Sequence, residues 1–311
     1  MSHLGAATKS LAVKLAGLNL KNPVLTASGT FGSGLEFAPY GDLRGLGAIV
    51  VKGISLRPRS GNLLPRIAET PAGMLNAIGL QNPGVESFLA DTLPQLPWRE
   101  VPIIVNLYAE SPAEFGELAT RLAKVEGVAA LEVNISCPNV KAGGIAFGQN
   151  PAMAAEVTEA VRTNAGGKTV IVKLSPNITD IAAMAKTVES AGANVISCIN
   201  TLTGMAVDLT SRRPRLANIV GGLSGPAIKP VALRCVWQVC KAVQIPVIGI
   251  GGICSASDVL EFMLVGASAV QVGTANLLRP DAVFKIIKNL PQLLDELGIE
   301  NIEEFRGSLQ I

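Results

Sequence analysis

The feature that most constrains this chain is a recurrence. Short, almost uninterrupted runs of Val, Ile, Leu and Ala return eight times, over residues 22–28, 47–53, 102–107, 130–136, 169–175, 194–200, 246–251 and 269–273. A run that is apolar at every position, rather than at alternate ones, describes a strand buried on both faces, as in a parallel sheet covered by helices. Stretches with helical spacing, such as 152–163 and 181–190, stand between most of these runs, so the pattern reads as repeated βα units. Eight such units close on themselves as a (β/α)8 barrel, the TIM-barrel form of the α/β class. The other arrangement open to such units, a doubly wound sheet, lacks its Gly-x-Gly-x-x-Gly turn after the first strand. Residues 12–15 and 18–20 flank Gly17 and predict a hairpin that plugs the barrel floor. Two connections, 54–101 and 201–245, are too long for simple βα loops and predict insertions at the carboxyl-terminal face. Residues 1–311 are expected to form one barrel domain.

Composition narrows the function. With 49% hydrophobic and 16% charged residues the chain buries a large core and is too apolar to be disordered. A net charge of +2 and the absence of a Lys/Arg stripe give no footprint for nucleic acid, Arg57, Arg59 and Arg66 being scattered among Pro and Gly. No apolar run reaches the length of a membrane span. Five cysteines without paired metal spacing, and no legible secretory signal, predict a reducing cytoplasm and no metal.

If the barrel forms, functional groups belong at the carboxyl ends of its strands, and Ser28, Lys52, Asn106, Asn134, Lys173 and Asn200 end or nearly end six of them. Two strand-end lysines, each preceded by apolar residues, point ammonium groups into a shared mouth, where an anionic ligand is expected to offset their desolvation. Gly249, Gly251, Gly252, Gly273 and Thr274 close the last two strands, and Gly225-Pro226 suits a helix start; together they predict a phosphate-binding corner of backbone amides. The segment Asn134-Ile135-Ser136-Cys137-Pro138-Asn139 sets a thiol among polar groups at a strand end. The single histidine, His3, lies in a polar N-terminal segment, so Cys137 is the leading candidate for a base near neutral pH. Cys198, Cys235, Cys240 and Cys254 sit in apolar or helical surroundings and read as inert core thiols. The Gly-rich stretch 141–149 reads as a lid beside the thiol.

These residues carry a resemblance that spans nearly the whole chain. Asn76-Ala77-Ile78-Gly79-Leu80-Gln81-Asn82-Pro83-Gly84, the segment Asn134 to Asn139 continued by Val140-Lys141-Ala142-Gly143-Gly144, and the pairs Gly251-Gly252 and Gly273-Thr274 resemble the catalytic subunits of class 1B dihydroorotate dehydrogenases. The resemblance implies oxidation of dihydroorotate to orotate in pyrimidine synthesis, with FMN bound in the barrel. It assigns Ser28, Lys52, Gly53, Asn106, Asn134, Lys173, Ile199, Gly225, Gly251, Gly252, Gly273 and Thr274 to FMN. It surrounds the substrate with Lys52, Asn76, Ala77, Ile78, Gly79, Leu80, Asn134, Asn139, Asn200 and Thr201, and gives the C5 proton to Cys137. It further implies electron transfer to a second subunit carrying FAD and a [2Fe-2S] cluster, then to NAD+, in a heterotetramer of two catalytic and two electron-transfer chains. The alternatives are a self-sufficient class 1A enzyme that reduces fumarate, a pyrimidine-reducing relative, a non-flavin phosphate-binding isomerase or lyase on the same barrel, and a non-catalytic scaffold.

Overall fold

The computed structural model describes residues 10–136 and 144–311, with the backbone alone for 144–146. His3, Cys137 and Asn139 lie outside the described residues. Along the chain the strands are β1 (Val13–Leu15), β2 (Leu18–Leu20), β3 (Val24–Thr26), β4 (Ile49–Ile54), β5 (Ile67–Thr70), β6 (Gly73–Asn76), β7 (Ile103–Leu107), β8 (Ala130–Asn134), β9 (Thr169–Leu174), β10 (Val195–Cys198), β11 (Leu202–Met205), β12 (Val207–Asp208), β13 (Arg213–Pro214), β14 (Val220–Ser224), β15 (Val247–Ile250) and β16 (Ala269–Val272).

Seven of the eight apolar runs contain, and the run 47–53 contains all but Ile54 of, one strand of an eight-stranded sheet, in the order β3-β16-β15-β10-β9-β8-β7-β4, with every pairing parallel. The two end strands meet through a parallel bridge between Leu25 and Ala48, which closes the barrel. Thr26 reinforces that seam: its hydroxyl accepts from the Val50 amide at 2.9 Å and donates to the Val50 carbonyl at 3.2 Å. All five residues of β7 and of β8 are buried, as the unbroken apolar runs require.

Helices Pro112–Ala123, Pro151–Asn164, Ile181–Ser190, Lys229–Ala242, Ala256–Leu264 and Ala282–Glu296 accompany the strands. Their starts follow from local chemistry. Ser111, Asn150 and Asp180 each accept a backbone N–H of the first turn, with proline at the head of the first two helices, and Ser255 and Asp258 form a reciprocal capping box. In Ile181–Ser190 the buried face is Ile181, Met184, Ala185 and Val188, the 3.6-residue stripe seen in the sequence. Among the described residues no helix is long and apolar enough to cross a membrane.

The hairpin β1–β2 pairs Val13 with Leu20 and Leu15 with Leu18. Its turn, Ala16-Gly17, has φ of 43° and 91°, both in the left-handed region that a two-residue hairpin turn demands. Ala16 O accepts from the hydroxyl of Thr169, the first residue of β9, at 2.8 Å, so the hairpin sits at the amino-terminal end of the barrel.

The two long connections are not separate solvated excursions. β5 and β6 from the first and β11 and β14 from the second build one antiparallel sheet, in the order β11-β14-β6-β5, with a small core of Ala68, Leu75, Ala77 and Leu216. The stretch 141–149, expected as a lid, carries helix Gly144–Gln149. Phe147 there is buried, its ring edge-on to Phe115 with centroids 6.1 Å apart, so this part is docked on the barrel wall.

Candidate active site

A cavity of about 1040 Å3, its open mouth included, lies at the carboxyl ends of the barrel strands beneath the small sheet. Ser28 follows β3, Lys52 and Gly53 belong to β4, and Asn106, Asn134 and Lys173 stand near the ends of β7, β8 and β9. Ile199, Asn200 and Thr201 follow β10, Gly251 and Gly252 follow β15, and Gly273 and Thr274 follow β16; all of them line the cavity. The small sheet and its flanks add Asn76, Ile78, Gly79, Leu80, Ser224 and Gly225. Of the residues the resemblance assigns to cofactor or substrate, Ala77 alone among those described does not line it, and of the phosphate corner read from the sequence Gly249, which backs onto the Phe262 ring, and Pro226 do not line it either. Ala77 is fully buried in the core of the small sheet because strand alternation turns it away from its neighbour Asn76.

Two lysines and no described acidic residue line the cavity. Lys173 is 5% exposed, and its counter-charge is supplied within the protein, which corrects the expectation that only a ligand would offset it. Its Nζ stands 3.8 Å from Oε2 of Glu132, a residue of β8 that is fully buried. Glu132 accepts in addition from Asn106 Nδ2 at 2.6 Å, Ser197 Oγ at 2.9 Å and Gln271 Nε2 at 2.6 Å. With its NH2 committed to the carboxylate, Asn106 keeps a buried Oδ1 that has no hydrogen-bond partner. That oxygen lies against Gly53, where a Cβ would stand 2.9 Å from it.

A second cluster ties the chain leading into Cys137. Asn134 Oδ1 accepts from the Ser136 amide and hydroxyl at 3.2 Å, and Asn200 Nδ2 donates to Ser136 Oγ at 2.9 Å. Asn200 Oδ1 in turn accepts the Thr201 amide at 2.8 Å, so contacts at both ends orient its amide.

Gly225, Gly251, Gly252, Gly273 and Thr274 line one cavity. Gly225, with φ of 97°, precedes the short turn Pro226–Ile228 and then helix Lys229–Ala242. Gly251 and Gly252 have φ of 129° and 76°, and a Cβ on them would meet Ala232 at 2.8 Å and Lys229 at 2.6 Å. Thr274 donates to Ser224 at 2.8 Å across the corner. Lys229 is not the cation of this corner, since its ammonium is held by Asp258 at 2.6 Å and Glu261 at 3.0 Å.

The match to known sequences decides the family. The family model described as dihydroorotate dehydrogenase matches residues 10–294. The chain belongs to the dihydroorotate dehydrogenase family. A relative from Solidesulfovibrio magneticus is 70% identical over 299 residues, covering 96% of this chain and 98% of its own. One from Maridesulfovibrio salexigens is 63% identical over 301 residues, covering 97% and 99%. Both are named dihydroorotate dehydrogenase B (NAD(+)), catalytic subunit. A crystal structure of the dihydroorotate dehydrogenase from Eimeria tenella in complex with ferulenol shares the fold, with a TM-score of 0.80 at 22% identity over 99% of this chain and 90% of that one.

In this dihydroorotate dehydrogenase family member burial favours the protonated thiol at each described cysteine. Burial pushes the Cys198 thiol well above its ordinary value, with Cys235 and Cys240 adding to it, and raises Cys240 to about 12. Burial also raises Cys235 and Cys254. Among the described residues no group of three or more His, Cys, Asp or Glu is placed to hold a metal ion. Reading strand ends alone missed Glu132, Ser197 and Gln271. The signal was present, since a carboxylate in the middle of Ala-Leu-Glu-Val-Asn has no place in a doubly buried strand without partners.

Proposed function

We propose that this chain oxidises (S)-dihydroorotate to orotate with FMN held in the barrel cavity. The single observation that carries the proposal is the cavity lining: two lysines, an asparagine set and a glycine corner, with no described acid. The residues suit FMN. Gly225, Gly251, Gly252, Gly273 and Thr274 leave bare backbone where a phosphate would sit, and the unpaired Asn106 Oδ1 calls for a ligand N–H. Ser28, Lys52, Gly53, Asn134, Lys173 and Ile199 complete the assignment to the cofactor.

Bound there, FMN supplies the acceptor, at N5, for the hydride from substrate C6. The chain's own residues do the rest. Asn76, Asn134, Asn139 and Asn200 offer amide donors and acceptors to the cyclic ureide, and Lys52 offers charge to its carboxylate. Ile78, Gly79, Leu80 and Thr201 shape the wall around it. Cys137 takes the C5 proton, and the Asn134–Ser136–Asn200 knot anchors the chain immediately before it. Lys173, which lines the cavity, would help hold FMN there and would favour its reduced, more negative form. The relatives' names, which give NAD(+) and a catalytic subunit, support electrons leaving through a separate subunit to NAD+; that this subunit carries FAD and a [2Fe-2S] cluster rests on the resemblance alone. We place the complex in the cytoplasm as a heterotetramer of two catalytic and two electron-transfer chains.

The test is the visible spectrum of the purified chain without oxygen, before and after dihydroorotate. A flavin band that bleaches supports cofactor and half-reaction together. A band that persists removes dihydroorotate as the substrate, and no flavin after reconstitution with FMN overturns the reading.

A further inference from the structure

Glu132 sits directly opposite Asn106 in the β7–β8 register, on the same strand face as Asn134 and one pleat deeper in the barrel. Groups from four other strands converge on its carboxylate: Asn106 of β7, Lys173 of β9, Ser197 of β10 and Gln271 of β16. Asn106 donates to Oε2 and Ser197 and Gln271 donate to Oε1, while Lys173 faces Oε2 as an ion pair at 3.8 Å, so both carboxylate oxygens act as acceptors. A carboxylate with no solvent exposure is an expensive way to fill a barrel, because apolar residues of the same volume stabilise such a site at least as well. Its position explains its presence. Two of its four partners, Asn106 and Lys173, line the cavity.

We propose that Glu132 is a positioning residue that presents the acceptor end of Asn106 to the cavity and offsets the charge of Lys173, and so sets the reduction potential of the flavin held there; this rests on the FMN reading above. The 2.6 Å bond from Asn106 Nδ2 consumes the donor end of that amide, which leaves Oδ1 as the only end a ligand meets. The ion pair to Lys173 is longer, at 3.8 Å, so the ammonium keeps donors for a ligand while the carboxylate tempers its field. Flavin reduction adds electron density beside Lys173. The nearby carboxylate opposes that gain, and its removal favours the reduced form.

The experiment equilibrates FMN-loaded protein with a dye of known potential and reads the oxidised and reduced flavin bands. Glu132→Gln is expected to raise the ratio of reduced to oxidised FMN about tenfold at a fixed poise, which is about 30 mV for a two-electron couple. Glu132→Asp, which keeps the charge, is expected to stay within about threefold of the parent, since the charge rather than the side-chain length sets the ratio. If Glu132→Gln does not accumulate folded, Gln271→Met decides. It strips a donor from the carboxylate, leaves more of its charge unsatisfied beside Lys173, and is expected to shift the ratio toward oxidised FMN by about threefold. A parent protein that binds no FMN overturns the FMN reading. A parent that binds FMN, together with an unshifted ratio in the folded, loaded variant, overturns the role given to Glu132.

Discussion

Replacing Lys173 by methionine removes the ammonium and leaves the Glu132 carboxylate in the barrel without a cation. At 3.8 Å and an effective dielectric constant of 20 their attraction is about 4 kcal/mol. Breaking one side of a buried pair costs roughly 3–5 kcal/mol, because the surviving charge stays desolvated. Asn106, Ser197 and Gln271 still donate to the carboxylate at 2.6, 2.9 and 2.6 Å, which argues for the lower end, about 3 kcal/mol. For a chain of this size each kcal/mol moves the thermal midpoint by about 2 °C, so Lys173→Met is expected to unfold about 6 °C below the parent. The measurement belongs on ligand-free protein, since any ligand that binds only the folded state adds its own stabilisation. The double variant Lys173→Met with Glu132→Gln carries no stranded charge and is expected to recover most of the loss. A single variant within about 2 °C of the parent would refute the reasoning. A double variant as unstable as the single one would show that lost packing of the lysine stem, not the orphaned charge, causes the effect.

Three further outcomes follow from the site. Cys137→Ala is expected to retain FMN and to slow flavin reduction by dihydroorotate at least about 100-fold in stopped flow; parent-like reduction removes the thiol from the mechanism. Gly251→Val adds a branched side chain at φ of 129°, with the first carbon 2.8 Å from Ala232, and is expected to weaken FMN binding at least about tenfold by fluorescence titration while far-UV circular dichroism is retained. Parent-like affinity would move the phosphate away from this corner. Burial alone would raise the Asp258 carboxyl, but hydrogen bonds from Lys229, the Cys254 amide and Ser255 outweigh it and hold the folded value below the ordinary 3.8. Asp258 therefore stabilises the fold fully above the unfolded value, and that contribution is lost as pH falls below about 3.8 through the folded value. Thermal midpoints taken from pH 6 to pH 3 should fall more steeply for the parent than for Asp258→Asn; parallel curves would remove Asp258 from the acid limb.

What the sequence by itself determined here is local or follows from chain order. Doubly buried strands are written as unbroken apolar runs, so β7 and β8 were legible within 102–107 and 130–136. Helix Ile181–Ser190 was legible from its stripe and the hairpin from Gly17, since turn chemistry and periodicity depend on near neighbours. Once the barrel was granted, strand ends fell on one rim, and Lys52, Asn106, Asn134 and Lys173 were found without knowing any contact. Tertiary structure decided what depends on meetings between distant segments. Asn76 pairs with Gly222 across two insertions, and no local pattern says that β6 and β14 share an edge or that Ala77 faces a second core. The same holds for Glu132, whose charge is tolerable only because Asn106, Lys173, Ser197 and Gln271 arrive from four other strands. A strand's burial is a property of its own residues, whereas a buried charge is paid for by partners that only closure of the barrel brings within hydrogen-bond distance.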